Sequence, residues 1–435
     1  MTLARPRLRR LIFGALAFVL VAIGAEVLGL CTCLIQRREW FSYSRLHAAQ
    51  HDLASPPDDT LKRQAVDWSR PLVVHPFFGY AVDPQSEALH DVPAGLKNDP
   101  NGFQTGSSPI QKRAPDKVIV AITGGSVAYW LSVIARRELI EELSKAAALK
   151  GKRVELVTLA IGGFKQPQQL MALTWFLALG GEFDVVINLD GFNELALSTA
   201  ENLDGGTFPF YPRSWPVLAG QIDDRPTLST VARLSLARDQ RAELAQAIDG
   251  SWLRWSIAAN ALWSLRDAIR VKEIARLERE IADETRARPR TFLRNGPPPA
   301  PYADTDAYYR DLAQFWKRAS IQISFLAQAN GFRYFHFLQA NQYDLGSKTL
   351  TAEERERFYH RRAPYRVPAE KGYPFLREAG VELAASGVAF HDLSRLFADR
   401  SETVYIDDCC HYQELGYQLM AKRIGRVVAE RLDRK

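Results

Sequence analysis

The sequence predicts an α/β fold of parallel strands alternating with helices, with a hydrophobic helix at the N-terminus and a helical insertion in the middle. Three observations support this fold: short runs of β-forming apolar residues recur, helical patterns separate them, and residues 11–35 are apolar almost throughout. The chain has 435 residues, 47% of them hydrophobic and 24% charged. This is the composition of an ordinary globular protein, and the chain can bury a sizeable core.

The strands are predicted from continuous apolar runs, as expected for strands that are buried on both faces of a parallel sheet. The runs are Val118 to Ile122, Val154 to Leu159, Val185 to Leu189, Tyr334 to Leu338 and Val388 to Leu393. Helical patterns cover Ser126 to about Leu149, Pro167 to Leu179, and Gln413 to Leu432. This alternation predicts a flavodoxin-like, three-layer, doubly wound parallel sheet of about five strands.

The apolar stretch from Leu11 to Ile35 is interrupted only by Glu26 and is long enough to span a bilayer as a helix. Four arginines precede it, which predicts a cytoplasmic N-terminus and a body outside the cytoplasm. A cleaved signal peptide is the competing interpretation, but its apolar core would be shorter and no A-x-A site follows. Glu26 could face a partner helix, be protonated or mark a functional site, and the sequence leaves this open.

The predicted organisation is a cytoplasmic tail (1–10), a transmembrane signal anchor (11–35), a stalk with an N-terminal extension (36–115) and an α/β domain (116–435). Within that domain a helical insertion covers about 196–330, because 140 residues between Asn193 and Tyr334 are too many for a simple connection. The insertion is interpreted either as solvated helices packed on the sheet or as a lid or partner-binding surface. Asn295 to Pro301 is a linker or a lid hinge. The expected location is the inner membrane, single-pass, with the α/β domain periplasmic or extracellular.

The formal charge of +6 does not indicate a nucleic-acid-binding surface. Arg5, Arg7, Arg9 and Arg10 supply four of those charges, and no basic stripe with interleaved aromatics follows.

Four cysteines offer no spacing typical of a structural zinc site, and we expect no metal and no cofactor. Cys409 and Cys410 are adjacent in the sequence. Neighbouring Cα atoms lie about 3.8 Å apart, closer than the usual disulfide span of roughly 4.4–6.8 Å, which favours free thiols.

Three polar or small residues each follow the end of a predicted strand. Ser126 comes after two glycines that permit a tight turn, and its hydroxyl would need a base to act as a nucleophile. The backbone N–H groups of Ser126 and Gly163 and the side chain of Asn193 could donate to an oxyanion. The plainer interpretations are an N-cap serine, a turn glycine and a loop asparagine.

Asp408 and His411 lie three residues apart near the C-terminus and are the predicted acid and base. A carboxylate beside an imidazole holds its tautomer and stabilises its charged form. Asp407, at a spacing of four, is an alternative to Asp408. His391 and Asp392 are adjacent on a predicted strand and would face opposite ways, and His336 is predicted to be a satisfied core histidine.

These residues, in this order along the chain, resemble the four blocks of the SGNH (GDSL-like) hydrolase superfamily. The segments Leu338 to Tyr343 and Asp407 to His411 resemble its membrane-anchored bacterial branch. The matching segments are Thr-Gly-Gly-Ser-Val-Ala at Ser126, Ala-Ile-Gly-Gly-Phe at Gly163, Gly-Phe-Asn-Glu at Asn193, and Asp408 with His411. The resemblance implies a catalytic triad of Ser126, Asp408 and His411 and an oxyanion hole from Ser126, Gly163 and Asn193. The family's usual Asp before the serine is Gly125 here, and Glu194 replaces the frequent Asp after the asparagine. These departures leave the substrate class open.

The expected function is that of a membrane-anchored serine esterase acting on acyl esters, including O-acetyl esters, of envelope saccharides or lipids. An acyltransferase that passes the acyl group to an envelope glycan is one alternative, and a non-catalytic envelope scaffold is another. Tryptophans in or near the insertion could stack on sugars, although core packing is their commoner role; they are Trp215, Trp252, Trp255, Trp263 and Trp316. The sequence leaves the oligomeric state open.

Overall fold

The computed structural model describes residues 5–37, 41–54, 72–84, 96–223, 225–287, 291–298 and 301–434. The chain divides into two compact units, one of residues 1–63 with 224–284 and one of residues 64–223 with 285–435. The predicted insertion of 196–330 is therefore divided. Its middle belongs with the N-terminal helices, and its two flanks belong with the sheet.

The described residues of the sheet unit form nine strands. They are β1 (Leu72–His75), β2 (Gly79–Val82), β3 (Lys97–Asp99), β4 (Phe103–Thr105), β5 (Lys117–Gly124), β6 (Arg153–Ala160), β7 (Val185–Asp190), β8 (Arg333–Leu338) and β9 (Ala389–Asp392). Strands β5 to β9 form one parallel sheet in the order β6-β5-β7-β8-β9. The five strands predicted from apolar runs and the α/β class are confirmed.

Burial explains why these runs form the centre of the sheet. In β5, every residue from Val118 to Gly124 is buried, and in β7 all six residues are buried. Such strands must present apolar side chains on both faces, which requires a continuous hydrophobic run rather than alternation. The carboxyl ends of β5, β6 and β7 are level, since Gly124 pairs with both Ala160 and Leu189.

Fourteen α-helices occur in the described residues of the two units. They are α1 (Arg5–Arg37), α2 (Tyr43–Ala54), α3 (Ser126–Ile134), α4 (Arg136–Leu143), α5 (Gln168–Ala178), α6 (Phe192–Ala196), α7 (Trp215–Asp223), α8 (Arg225–Asp249), α9 (Ile257–Ala287), α10 (Phe292–Asn295), α11 (Thr305–Asn330), α12 (Ala352–Arg357), α13 (Arg366–Ala385) and α14 (Glu414–Asp433). The helix predicted from Ser126 to Leu149 is interrupted at Ala135, where ψ is 27°. The helices predicted after β6 and at the C-terminus are confirmed within two residues.

Two short hairpins lie in the segment before β5. Strands β1 and β2 pair as one antiparallel hairpin and β3 and β4 as another. Phe78, Tyr80 and Phe103 are almost fully buried in the main hydrophobic core. Strands β3 and β4 were not predicted, because a three-residue strand carries too short a pattern to be recognised.

The helical unit holds α1, α2, α8 and α9. Its small core contains Leu46, Ala245 and Trp263. Helix α9 begins at Ile257. Ile12–Ile35 of α1 is long and apolar enough to span a membrane.

Candidate active site

Ser126 is the first residue of α3 and directly follows the turn that leaves β5. Gly124 has a φ of +148°, and a methyl group there would overlap the carbonyl oxygen of Leu189. A methyl group on Gly125 would overlap the side-chain nitrogen of Asn193. Gly124 therefore requires glycine, whereas a side chain at Gly125 would force the Asn193 side chain to move. Ser126 is 8% exposed at the end of β5.

The imidazole of His411 bridges the serine and a carboxylate. Its Nε2 lies 2.7 Å from the hydroxyl oxygen of Ser126, and its Nδ1 is hydrogen-bonded to the carboxylate of Asp407. The serine and the histidine are 285 residues apart in the sequence. A hydroxyl, an imidazole and a carboxylate are thus connected in series, an arrangement that can activate a serine as a nucleophile.

The carboxylate that contacts His411 in the structure is that of Asp407, whereas the sequence favoured Asp408. One carboxylate oxygen of Asp407 accepts hydrogen bonds from the backbone N–H groups of Cys409 (3.0 Å), Cys410 (3.0 Å) and His411 (3.2 Å), and the other binds the imidazole. Asp408 is exposed, and its backbone carbonyl accepts a hydrogen bond from Tyr343 at 2.9 Å. The segment is a series of bends rather than a helix. The side chain of Asp407, four residues before His411, closes this turn and therefore reaches the imidazole.

Charges around His411 favour its protonated form. Burial by itself lowers the pKa of the imidazole, but Cys410 and Asp407 outweigh this effect and hold the pKa well above its ordinary value. Burial likewise raises the pKa of Asp407, but the positive imidazole and the turn N–H groups lower it below its usual range. The thiol of Cys410 also has a lowered pKa, because hydrogen bonding from Cys409 and the charge on His411 outweigh burial.

The predicted oxyanion donors lie against the nucleophile turn. Asn193 is 8% exposed, and its side-chain nitrogen donates to the carbonyl of Phe164 at 2.8 Å, which leaves a second N–H. This carbonyl belongs to the residue after Gly163, and Asn193 also contacts Gly125. The loops after β5, β6 and β7 therefore meet at one point, as the predicted edge of the sheet requires.

Arg213 is a residue of this region that the sequence did not single out. A methyl group on Gly163, where φ is +81°, would overlap the Arg213 side chain. Glu201 holds the guanidinium through contacts of 2.6 and 3.1 Å and also accepts a hydrogen bond from Tyr365 at 2.9 Å. A fixed cation therefore lies against the Gly163 loop. No motif around Arg213 marks it, because the contact depends on chain segments that are far apart in sequence.

Glu194 supports the loops rather than the reacting atoms. Its carboxylate accepts hydrogen bonds from the backbone N–H groups of Gly191 (2.8 Å) and Gln166 (3.0 Å). It therefore caps the start of α6. Burial and the nearby charge of Asp190 raise the pKa of Glu194 to about 8. Burial lowers the pKa of Lys165, which donates to Ser198 at 3.0 Å, to about 7.

His336 is a core histidine, as predicted. It is fully buried, with Nε2 2.8 Å from Asp190 and Nδ1 2.8 Å from Ser320. On β9, His391 stacks on Phe337 and Asp392 accepts from the backbone N–H of Ser394. His391 and Asp392 therefore have separate partners.

Cys409 and Cys410 are free thiols whose sulfur atoms lie 3.1 Å apart. Together with His411 they place three potential metal-ligand atoms within 4.8 Å of one another. Both imidazole nitrogens already have partners, Ser126 and Asp407. A metal ion at this position would have to displace one of them.

No family model matches the chain, and no curated protein matches it in a sequence search.

Proposed function

We propose that the protein is a serine hydrolase that cleaves acyl esters through a triad of Ser126, His411 and Asp407. The observation that carries this proposal is the pair of hydrogen bonds on one imidazole, to Ser126 at 2.7 Å and to Asp407. A serine hydroxyl is a weak nucleophile at neutral pH, and a neighbouring base is what activates it. The carboxylate on the far nitrogen keeps the imidazole in the tautomer that can accept the serine proton.

In the proposed reaction, His411 takes the proton of Ser126 as the hydroxyl oxygen attacks the acyl carbonyl. The negative charge that develops on the carbonyl oxygen is stabilised by the N–H groups of Ser126 and Gly163 and by the free side-chain N–H of Asn193. The protonated His411 then gives its proton to the leaving alcohol, and an acyl group remains on the serine. Water, deprotonated by the same histidine, releases the acid.

The convergence of these residues supports membership of the SGNH hydrolase superfamily. Counted along the parallel sheet, the strand order β6-β5-β7-β8-β9 corresponds to 2-1-3-4-5, the order of flavodoxin-like folds. The residues that match the superfamily's first three blocks follow the first three of these strands. The fourth block supplies His411. Asp407 takes the place of Asp408, which is the acid that the family pattern predicts.

The proposed location follows from the apolar helix and the arginines before it. With Ile12–Ile35 as a transmembrane anchor and a cytoplasmic N-terminus, the sheet unit lies in the periplasm or outside the cell. Esters on envelope saccharides or lipids, including O-acetyl esters, are the substrates available there.

One observation favours acyl transfer as a second candidate function. Ser126 is 8% and His411 9% exposed, so little of the triad is open to bulk water. A shielded acyl-enzyme can pass its acyl group to a bound sugar hydroxyl in place of water.

A two-part experiment on the full-length protein in detergent tests the proposal. The wild type is expected to react with a fluorophosphonate probe and to release p-nitrophenol from p-nitrophenyl acetate, and Ser126→Ala should do neither. Ser144→Ala, which removes an exposed serine hydroxyl from the end of α4, is the matched control and should behave like the wild type. A wild type that forms no adduct would contradict the assigned nucleophile. Acetyl release and acetyl transfer on isolated envelope glycans, compared between wild type and Ser126→Ala, would distinguish hydrolysis from transfer.

A further inference from the structure

In the helical unit, the carboxylate of Glu26 from α1 caps the start of α9. It accepts hydrogen bonds from the hydroxyl of Ser256 (2.5 Å) and from the backbone N–H groups of Ile257 (2.6 Å) and Ala258 (3.1 Å). The first N–H groups of a helix lack partners within it, and a carboxylate at that end also meets the positive end of the helix dipole. The one charge inside the apolar stretch of α1 is therefore a docking residue for α9.

Close backbone contact reinforces this docking. A methyl group on Gly29 would lie 2.6 Å from Cα of Ala258, so only glycine allows the two helices to approach here. On α1, the side chains from Ile12 to Ala25 are exposed, and the first buried positions after them are Gly29 and Cys33. The start of α9 is thus fixed at a defined height along α1.

That height lies within the part of α1 that would be embedded in lipid. About 20 residues are needed to cross the hydrocarbon core, and counting from Ile12 places the outer boundary near Cys31. Glu26 precedes Cys31 by five residues, roughly 7–8 Å along a helix. Interfacial protein segments bury their apolar faces about 5–10 Å into the boundary between headgroups and acyl chains, which matches this depth.

Large apolar side chains are exposed near the docking point. We call residues 250–269 the tip segment; it joins α8 to α9 and forms the first part of α9. Its exposed large apolar side chains are Trp252 (80% exposed), Leu253, Trp255 (66% exposed), Leu262, Leu265 and Ile269. The last three are spaced for one face of α9, the face that also carries Ala258 against α1.

Charged residues are scarce in the tip segment, as a position within the lipid boundary requires. From Gly250 to Leu265 the only charged residue is Arg254, and it is paired with Asp249 at 3.3 Å. Beyond Leu265 the charges are frequent, and ion pairs such as Arg241 with Asp267 (2.6 Å) and Arg238 with Glu278 (2.9 Å) join α8 to α9. The hairpin of α8 and α9 is therefore apolar at its tip and charged away from it.

We propose that the tip segment inserts into the outer leaflet of the membrane that α1 spans, so that Trp252 and Trp255 at the tip and the exposed apolar face of α9 that begins at Leu262 contact lipid. Tryptophan is enriched at this depth because its ring is apolar and its N–H is polar. The partner is a lipid surface because the segment is continuous with the apolar surface of α1 and is fixed to it by Glu26. This inference rests on the membrane anchoring of the proposed function and is independent of the triad.

The experiment places the full-length protein in vesicles of phosphatidylethanolamine and phosphatidylglycerol, with and without brominated phospholipid, which quenches nearby tryptophan emission. Trp40, five residues after the span in the sequence, serves as an internal reference for the anchor. In the wild type, Trp252 and Trp255 are expected to add to the quenched emission, so Trp252→Phe/Trp255→Phe should lose about half of it or more. Trp175→Phe, from the sheet unit, is the control and should leave the quenched part unchanged.

Equal quenching in the wild type and the double variant would overturn the inference and would leave the apolar surface to a protein partner. No quenching in any of the proteins would overturn the inference together with the membrane anchor. Neither result would affect labelling of Ser126 by the fluorophosphonate probe, so failure of the insertion and failure of the hydrolase assignment are distinguishable.

Discussion

Asp407 and His411 are joined twice, once through the imidazole Nδ1 and once through the backbone N–H of His411, at 3.2 Å. The same carboxylate therefore shapes the turn and orients the base. Asp408, which has the more familiar spacing to the histidine, is exposed and contributes its backbone carbonyl instead.

Separate substitution of these two aspartates tests directly which of them orients His411. Asp407→Asn should lower kcat by roughly 10³–10⁴-fold, because an amide does not hold the imidazole in the accepting tautomer. Asp408→Asn, the matched control, should stay near the wild-type rate. Hydrolysis of p-nitrophenyl acetate measures both, with circular dichroism to verify folding. A large loss in Asp408→Asn and none in Asp407→Asn would restore the assignment expected from the sequence.

The pH dependence of activity should be displaced towards alkaline pH. His411 must be neutral to accept the serine proton, and its surroundings raise its pKa well above the ordinary value. The value of kcat/KM is therefore expected to rise with pH through a midpoint above about 6.5, the ordinary histidine pKa. A midpoint at or below that value would show that Cys410 and Asp407 do not favour the protonated imidazole. Cys410→Ala should move the midpoint down, whereas Cys31→Ala should not move it.

The free energy of unfolding should fall with rising pH, whereas kcat/KM should rise. A histidine whose pKa is raised on folding stabilises the folded state fully below its unfolded pKa, and this contribution is lost as pH rises through the folded pKa. Chemical denaturation should therefore give a lower free energy of unfolding in the pH range where activity increases. The difference should shrink in His411→Gln, which has no titrating imidazole at this position.

Alanine substitutions at Gly163 and Gly151 distinguish the effect of a side-chain collision from the effect of backbone strain. Both have positive φ, +81° and +77°, but a methyl group on Gly163 would collide with Arg213, whereas one on Gly151 meets nothing within 4 Å. Both alanine variants should lose about 1–2 kcal/mol of stability from the left-handed backbone. Only Gly163→Ala should also lose activity, by roughly 10²-fold or more, because the collision with Arg213 would displace the loop whose N–H is a proposed oxyanion donor. Equal activities in the two variants would argue against that role.

Glu26→Ala should destabilise the start of α9. The substitution removes the acceptor for Ser256, Ile257 and Ala258, and loss of a helix cap costs about 1–2 kcal/mol. Thermal unfolding of the full-length protein in detergent and protease sensitivity near residue 256 measure the effect. Glu26→Gln keeps one acceptor oxygen and should be milder. Glu273→Ala, which breaks a partly exposed ion pair within α9, should change little. An equal effect of Glu26→Ala and Glu273→Ala would contradict the capping role.

Much of the sheet could be predicted from the sequence because burial on both faces requires unbroken apolar runs, as in Val118 to Ile122 and Val185 to Leu189. The positions of Ser126, Gly163 and Asn193 followed from the ends of those runs. Short strands such as β3 carry too little pattern to be recognised. The division of the insertion between two units depends on which distant helices pack together, and no local pattern carries that information.

The sequence by itself determined the parallel strands, the turn that carries Ser126 and the apolar length of α1, since each depends on local hydrophobic spacing and glycine conformations. Only the tertiary structure decided that Asp407 meets His411, that Arg213 lies against Gly163, and that Glu26 caps α9. These contacts depend on turn geometry or on residues from distant parts of the chain, and their energies come from hydrogen bonds that exist only after the chain has folded.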